Sequence, residues 1–445
     1  MTDAQGVPAE SREANLGKPF ADIVEFMVDG EVQRYPVLPL FLVALILILA
    51  APVYWRTLEQ PTAKRKERAY ENVQLYQRVY PMMHYGFGRL REGALPLWNP
   101  RQLCGAPFLA NPQSGLFQPL NWVFLLPNTG YALAAHAFMA LALMAFGFVL
   151  FARSIGTGFT GALIGGMTYA FSGAVAAAVS RPELAGALAW TPFFFWALRE
   201  CVADWRLAWA CLAGVFAALT LLAGSLGLAA VMLGLGLAYG AVRLVPGVTA
   251  VGVTRGARAG RLVVIVLVGA LLSLVQWLPS AAWALTLDKP WQVLWQIDIA
   301  GTVPHSLGEL FAQMLTAPRG QLPAVGYLGI VAVAVLPAAY FARRSQVDAV
   351  YFTLAAIVLS LLALAGDVPR ETPFAPVLFL YPAVFSVAVL AALGADRLLT
   401  TGRDPRSPLV WVPAVLSLAA GVVLFWAVPG PVKGILIVLG LVLLP

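Results

Sequence analysis

Long apolar runs constrain this chain more than any other feature. The first, from about Val37 to Trp55, is long enough as a helix to cross a hydrocarbon core about 30 Å thick. Further runs cover about 131–152, 157–179, 185–198, 207–224, 226–242, 262–283, 325–342, 349–366, 377–395 and 408–428. Such lengths suit helices, not the ~10-residue strands of a membrane barrel. Composition agrees: 60% of the 445 residues are hydrophobic, 11% are charged and the mean hydropathy is +0.79. Soluble domains carry about 25% charged residues, so a soluble enzyme, a disordered regulator and a disulfide scaffold are excluded. The expected fold class is an all-α polytopic membrane protein with about 11–12 transmembrane helices. Several runs are short and must tilt little or pack inside the bundle. A last apolar piece, Gly434 to Pro445, is too short to cross. The chain is therefore expected to end in a half-span or to belong to something longer.

Net charge is +7 and the pI about 9.4. No basic stripe interleaved with aromatics accompanies it, so nucleic acid is not an expected partner. Membrane lipids are, because cytoplasmic loops retain Lys and Arg. Arg153, Arg199, Arg206, Arg243, Arg255, Arg258, Arg261, Arg343, Arg344, Arg397, Arg403 and Arg406 fall in one set of alternate loops. The opposite short loops hold Arg181, Lys289, Arg319, Arg370 and Lys433. Twelve against five puts the first set, and the N-terminus with it, on the cytoplasmic side of the membrane. The basic cluster Arg56, Lys64, Arg65, Lys66 and Arg68 opposes this, but it belongs to a segment long enough to translocate largely regardless of charge. The organisation read from these signals is a cytoplasmic tail over 1–35, a first helix over 36–55, an extracytoplasmic loop over 56–130 and a helix bundle over 131–445. The tail is polar and acidic and reads as no cleavable signal peptide. Cys104, Cys201 and Cys211 have no metal-binding spacing, and Cys201 and Cys211 fall at or inside a span.

The long loop has two parts. Over 69–92, Val73, Tyr76, Tyr80, Met83, Phe87 and Leu90 recur at three- and four-residue steps, the stripe of an amphipathic helix. Such a helix lies in the headgroup plane or packs on the rim of the bundle. Pro81 should kink or divide it. Over 93–122, Pro96, Pro100, Pro107, Pro112 and Pro119 alternate with Gly93, Gly105 and Gly115. That content predicts an ordered, turn-rich surface over the outer end of the bundle, with Trp98 and Trp122 suited to the interface.

These residues also carry a resemblance. Tyr80-Pro81, Gly93, Leu95-Pro96-Leu97-Trp98-Asn99-Pro100, Gly105, Pro107, Ala110-Asn111-Pro112-Gln113-Ser114 and Pro119-Leu120-Asn121 resemble the YfhO-type bacterial membrane proteins. Arg181-Pro182-Glu183-Leu184, Trp190-Thr191-Pro192, Gln276-Trp277-Leu278-Pro279 and Tyr327-Leu328-Gly329 extend the similarity over roughly 70–400. The resemblance implies a GT-C glycosyltransferase architecture, a polyprenyl-phosphate sugar donor and an envelope glycan or lipid acceptor. It implies no bound cofactor.

Sugar transfer from a lipid phosphate needs a carboxylate to deprotonate the acceptor and cations to hold the departing phosphate. The resemblance implies an acid near Gln74, where this chain has an amide. Glu71, one turn earlier, is then a candidate base, or a surface acid paired with Arg78. Glu183 beside Arg181 is the second candidate, or an interfacial anchor. Gln74, Arg78, His84, Arg89, Trp98, Asn99 and Arg181 are the candidate substrate-binding residues. His84, His136 and His305 are too scattered for a zinc site; a divalent ion is not indicated. A transporter or flippase of a lipid-linked envelope component is a further reading. Charges concentrated at span ends rather than mid-membrane disfavour it. A non-catalytic membrane partner on the same fold is the third.

Overall fold

The computed structural model describes residues 23–28, 31–36, 75–102, 104–244, 254–288, 304–315, 325–341, 346–364 and 376–401. The first span, Glu71, Gln74, the run 408–428 and the piece from Gly434 lie outside the described residues. Strands β1 (Ile23–Val28) and β2 (Glu31–Pro36) pair antiparallel with Ile23 opposite Pro36. Asp29-Gly30, which separates them in sequence, is a pair favoured in two-residue hairpin turns.

The long loop folds into a small cap. A π-helical turn, Leu75–Val79, leads into α1 (Tyr80–Arg91), and Pro81 stands in its first turn, where the missing N–H costs nothing. Pro81 therefore marks a boundary, as its chemistry requires. The described part of the apolar stripe is covered by protein: Met83 and Phe87 are buried together with Val79, Phe108, Leu116, Phe124 and Leu133, Tyr80 and Leu90 pack partly buried against them, and Val73 lies outside the described residues. Gly86 allows this, because a Cβ there would overlap the Phe108 ring. Next, β3 (Trp98–Asn99) and β4 (Ala106–Pro107) form a minimal hairpin, and two 3₁₀ turns, Pro112–Ser114 and Pro119–Leu125, complete the cap. The Asn111 side chain caps the first of these turns by accepting from the Gln113 N–H.

The bundle begins with α2 (Thr129–Ser154), capped by Asn128, whose side chain accepts from the Gly130 and Tyr131 N–H groups. The run 157–179, read from the sequence as one span, is instead α3 (Phe159–Ala170) and α4 (Gly173–Ala178). Ser172 caps the second piece through the Val175 N–H, and a local side-chain bond of this kind ends one helix and starts another inside an apolar run. There follow α5 (Pro182–Asp204), α6 (Leu207–Leu222), α7 (Leu226–Val242), α8 (Arg255–Ala284), α9 (Leu307–Leu315), α10 (Ile330–Val335), α11 (Gln346–Ala363) and α12 (Leu380–Thr401). The run 325–342 is likewise divided, with α10 passing into a 3₁₀ turn at Leu336.

Among the described residues four helical segments are long and apolar enough to span: Thr129–Ser154, Gly256–Ala284, Gln346–Ala363 and Pro376–Leu399. The shorter α6 and α7 are also apolar. The protein is thus an all-α, multi-pass membrane protein, its described residues holding two short hairpins besides the helices. Helix α12 is central, 89% of its spanning window being buried against 22% for that of α8. Around α12, Phe385 meets Phe195 of α5 at 4.7 Å and Tyr169 of α3 edge-on at 5.2 Å. Small residues permit the crossings: a Cβ on Gly165 would press on Ala392 and Phe148, and one on Gly394 would overlap the Val335 carbonyl.

Candidate functional site

The cap covers one end of the bundle and is locked to it by side chains. Gln118 donates to the Leu219 carbonyl at 3.0 Å, and Gln276 of α8 donates to the Leu109 carbonyl at 2.9 Å. Gly224, at φ +103°, lets the turn between α6 and α7 lie against Pro112, whose carbonyl a Cβ would overlap. At the same end the Gly173 N–H donates to the Tyr327 carbonyl at 2.8 Å.

Arg181 and Glu183 open α5. Arg181 occupies the N-cap position, Pro182 the first turn, and Glu183 follows, an ordinary helix start in which the dipole favours the carboxylate. Their burial is not ordinary: Arg181 is 6% exposed and Glu183 8%. Charged side chains are seldom this buried without a partner or a role. Tyr381, in the first turn of α12, completes the group. It is 1% exposed, its hydroxyl has no hydrogen-bond partner among the described residues, and the charges of Arg181 and Glu183 both act on it. A cation, a carboxylate and a phenolic hydroxyl are thereby collected at one helix end. Tyr381 was not foreseen; the available signal was a polar atom in an otherwise apolar run.

The remaining described candidates belong to the cap. His84 is exposed, stacks on Tyr80 and shares a 2.9 Å hydrogen bond with Thr129 at the start of α2. Arg89 is tied to Glu92 at 2.6 Å on the surface. Arg78 is half-buried on the π-helical turn. Trp98 is 54% exposed, and its backbone carbonyl accepts from the Tyr85 hydroxyl at 2.8 Å. Its indole lies over Gly105, where a Cβ would sit 2.7 Å from the ring. Asn99 is buried, and its side chain accepts from the Arg101 N–H at 3.0 Å. Asn99 therefore holds a turn, and Arg89 holds Glu92. Gln118 brings the cap against α5, its amide standing 3.2 Å from where a Cβ on Gly186 would lie, one turn after Glu183. Among the described residues no group of His, Cys, Asp or Glu is arranged to hold a metal ion.

The chain is similar to the arabinofuranosyltransferase AftD from Mycobacteria, a cryo-EM structure. Identity is 17% and the TM-score 0.48, over 86% of this chain and 26% of that one. This chain thus spans about a quarter of the length of the structure it matches. No family model and no curated protein matches it.

Proposed function

We propose that this protein is an integral-membrane glycosyltransferase of the GT-C, YfhO-like kind. It takes a sugar from a polyprenyl-phosphate donor to an envelope glycan or lipid acceptor at the extracytoplasmic face of the inner membrane. The observation that carries this reading is the buried grouping of Arg181, Glu183 and the unpartnered Tyr381 hydroxyl at the capped end of the bundle. The chemistry it supports is a single displacement. The Glu183 carboxylate takes the acceptor hydroxyl proton as that oxygen bonds to the anomeric carbon. The bond to the phosphate oxygen breaks, its electron pair stays on the phosphate, and Arg181 holds the charge that develops. In this reading Tyr381 donates to the same oxygen. Glu71, outside the described residues, is the alternative base on the resemblance, together with Gln74 as its polar neighbour.

The test is turnover of polyprenyl-phosphate sugars by the purified protein. Glu183→Gln should lose at least about 10²-fold in rate, the lower end for a general base, while eluting and melting as the unsubstituted protein does. Near-full turnover by Glu183→Gln, with loss in Glu71→Gln, would move the base to Glu71. An unsubstituted protein inactive on every such donor would favour the non-catalytic partner reading.

A further inference from the structure

The cap meets the bundle across a seam of neutral polar side chains. Ser114, Gln118, Asn121 and Gln276 are 0% exposed and Ser225 is 5% exposed. The three amides are oriented unambiguously, because each nitrogen donates to a backbone carbonyl: Gln118 to Leu219, Asn121 to Gly115 and Gln276 to Leu109. Their carbonyl oxygens consequently point the other way. All three of those oxygens, and the hydroxyls of Ser114 and Ser225, have no hydrogen-bond partner among the described residues.

These five side chains share one neighbourhood around the turn between α6 and α7. Gln276 lies along the 109–111 backbone, and Pro112 abuts Gly224, next to Ser225. Gly115 packs between Asn121 and the Ala223 carbonyl, and Gln118 reaches Gly186 beside Ala223. Ser225 precedes α7 yet makes no side-chain cap bond, so its hydroxyl is free for another use.

Buried polar groups left without partners destabilise a fold, and three acceptors with two hydroxyls in one seam demand an occupant. The occupant's chemistry follows from what remains unfilled. Amide oxygens accept and cannot donate, and the five side chains are all neutral. A phosphate or carboxylate brings no donors and finds no cation among them. We infer that the seam is a hydroxyl-binding site, filled by groups that donate hydrogen bonds to Gln118, Asn121 and Gln276 and exchange them with Ser114 and Ser225. Water and the hydroxyls of a sugar ring share that chemistry. The inference does not depend on Glu183 acting as a base.

Ser114→Ala and Ser225→Ala test it, since each deletes one oxygen and no bond between described residues. Were the oxygens truly unpartnered, alanine would leave the unfolding midpoint of the full chain in nanodiscs unchanged or raised. That result overturns the site. Hydroxyl binding predicts that each variant lowers the midpoint by about 2–4 °C. Free pentoses and hexoses distinguish the source. A rise in midpoint that Ser225→Ala abolishes assigns the site to sugar hydroxyls. No rise, with both alanine losses in place, assigns it to ordered water.

Discussion

Arg243, at the end of α7, forms a buried ion pair with Asp348 in the first turn of α11, their side chains being 10% and 5% exposed. The Tyr239 hydroxyl donates to the same carboxylate oxygen at 2.6 Å and itself accepts from Arg243 at 3.1 Å. This closed triad binds two helices at the end of the bundle opposite the cap. At the same end Asp396 accepts from the Gly158 N–H, and Arg261 donates to the Trp205 carbonyl. Arg243 and Arg261, two of the arginines in the more basic set of loops, are therefore structural fasteners.

Removing one member of such a pair leaves a buried charge without compensation, which costs about 3–5 kcal/mol. Asp348→Ala should lower thermal stability in detergent accordingly, and adding Arg243→Met should restore much of the loss. A single variant that melts within about 1 kcal/mol of the unsubstituted protein, as an exposed pair would, contradicts the triad's structural role.

Phe87 is fully buried in the cap and meets Phe124 at 5.5 Å. Phe87→Ala should cost about 3–5 kcal/mol of local packing. The cap has its own small apolar core, so the loss should be confined. Hydrogen exchange should rise over 80–126 and stay low in α12. A uniform rise would show that cap and bundle unfold as one unit.

The apolar runs made the helices legible because lipid demands long unbroken stretches, and α2, α8, α11 and α12 stand where the sequence placed them. Proline and glycine likewise announced the turns of the cap. Breaks inside the runs were hidden: Ser172 donates its hydroxyl to the Tyr169 carbonyl at the end of α3 and accepts from the Val175 N–H to start α4, bonds that leave no mark on hydropathy. The site was half legible. Arg181-Pro182-Glu183 stood out as charge at a span end. Tyr381, on α12, comes within range of those charges only through the fold. The partner of Gln118 lies 101 residues away and that of Arg243 105 residues away, distances no local pattern encodes.

Gly224 carries the closest approach of bundle to cap. Alanine there meets both a φ of +103° and the Pro112 carbonyl, so the turn must shift or the cap must lift. Residues at such φ cost about 1–3 kcal/mol. Gly224→Ala should accordingly expose the 93–126 segment to limited proteolysis while the bundle stays intact. Unchanged cleavage would show that the turn yields without moving the cap.

Cys104 offers a test of orientation without any substitution. It is exposed in the cap, whereas Cys201 is fully buried in α5 and Cys211 partly so in α6. The twelve-to-five excess of Lys and Arg in alternate loops predicts a cap on the outside. A membrane-impermeant maleimide applied to intact cells should label Cys104 and leave Cys201 silent. Thr254, exposed at the N-cap of α8, lies at the opposite end of the bundle. In a Cys104→Ser background, Thr254→Cys should react only after the membrane is opened. The reverse pattern would turn the protein over and place Arg181, Glu183 and Tyr381 at the cytoplasmic face. The donor would then have to present its sugar there, and the extracytoplasmic transfer proposed above would fail.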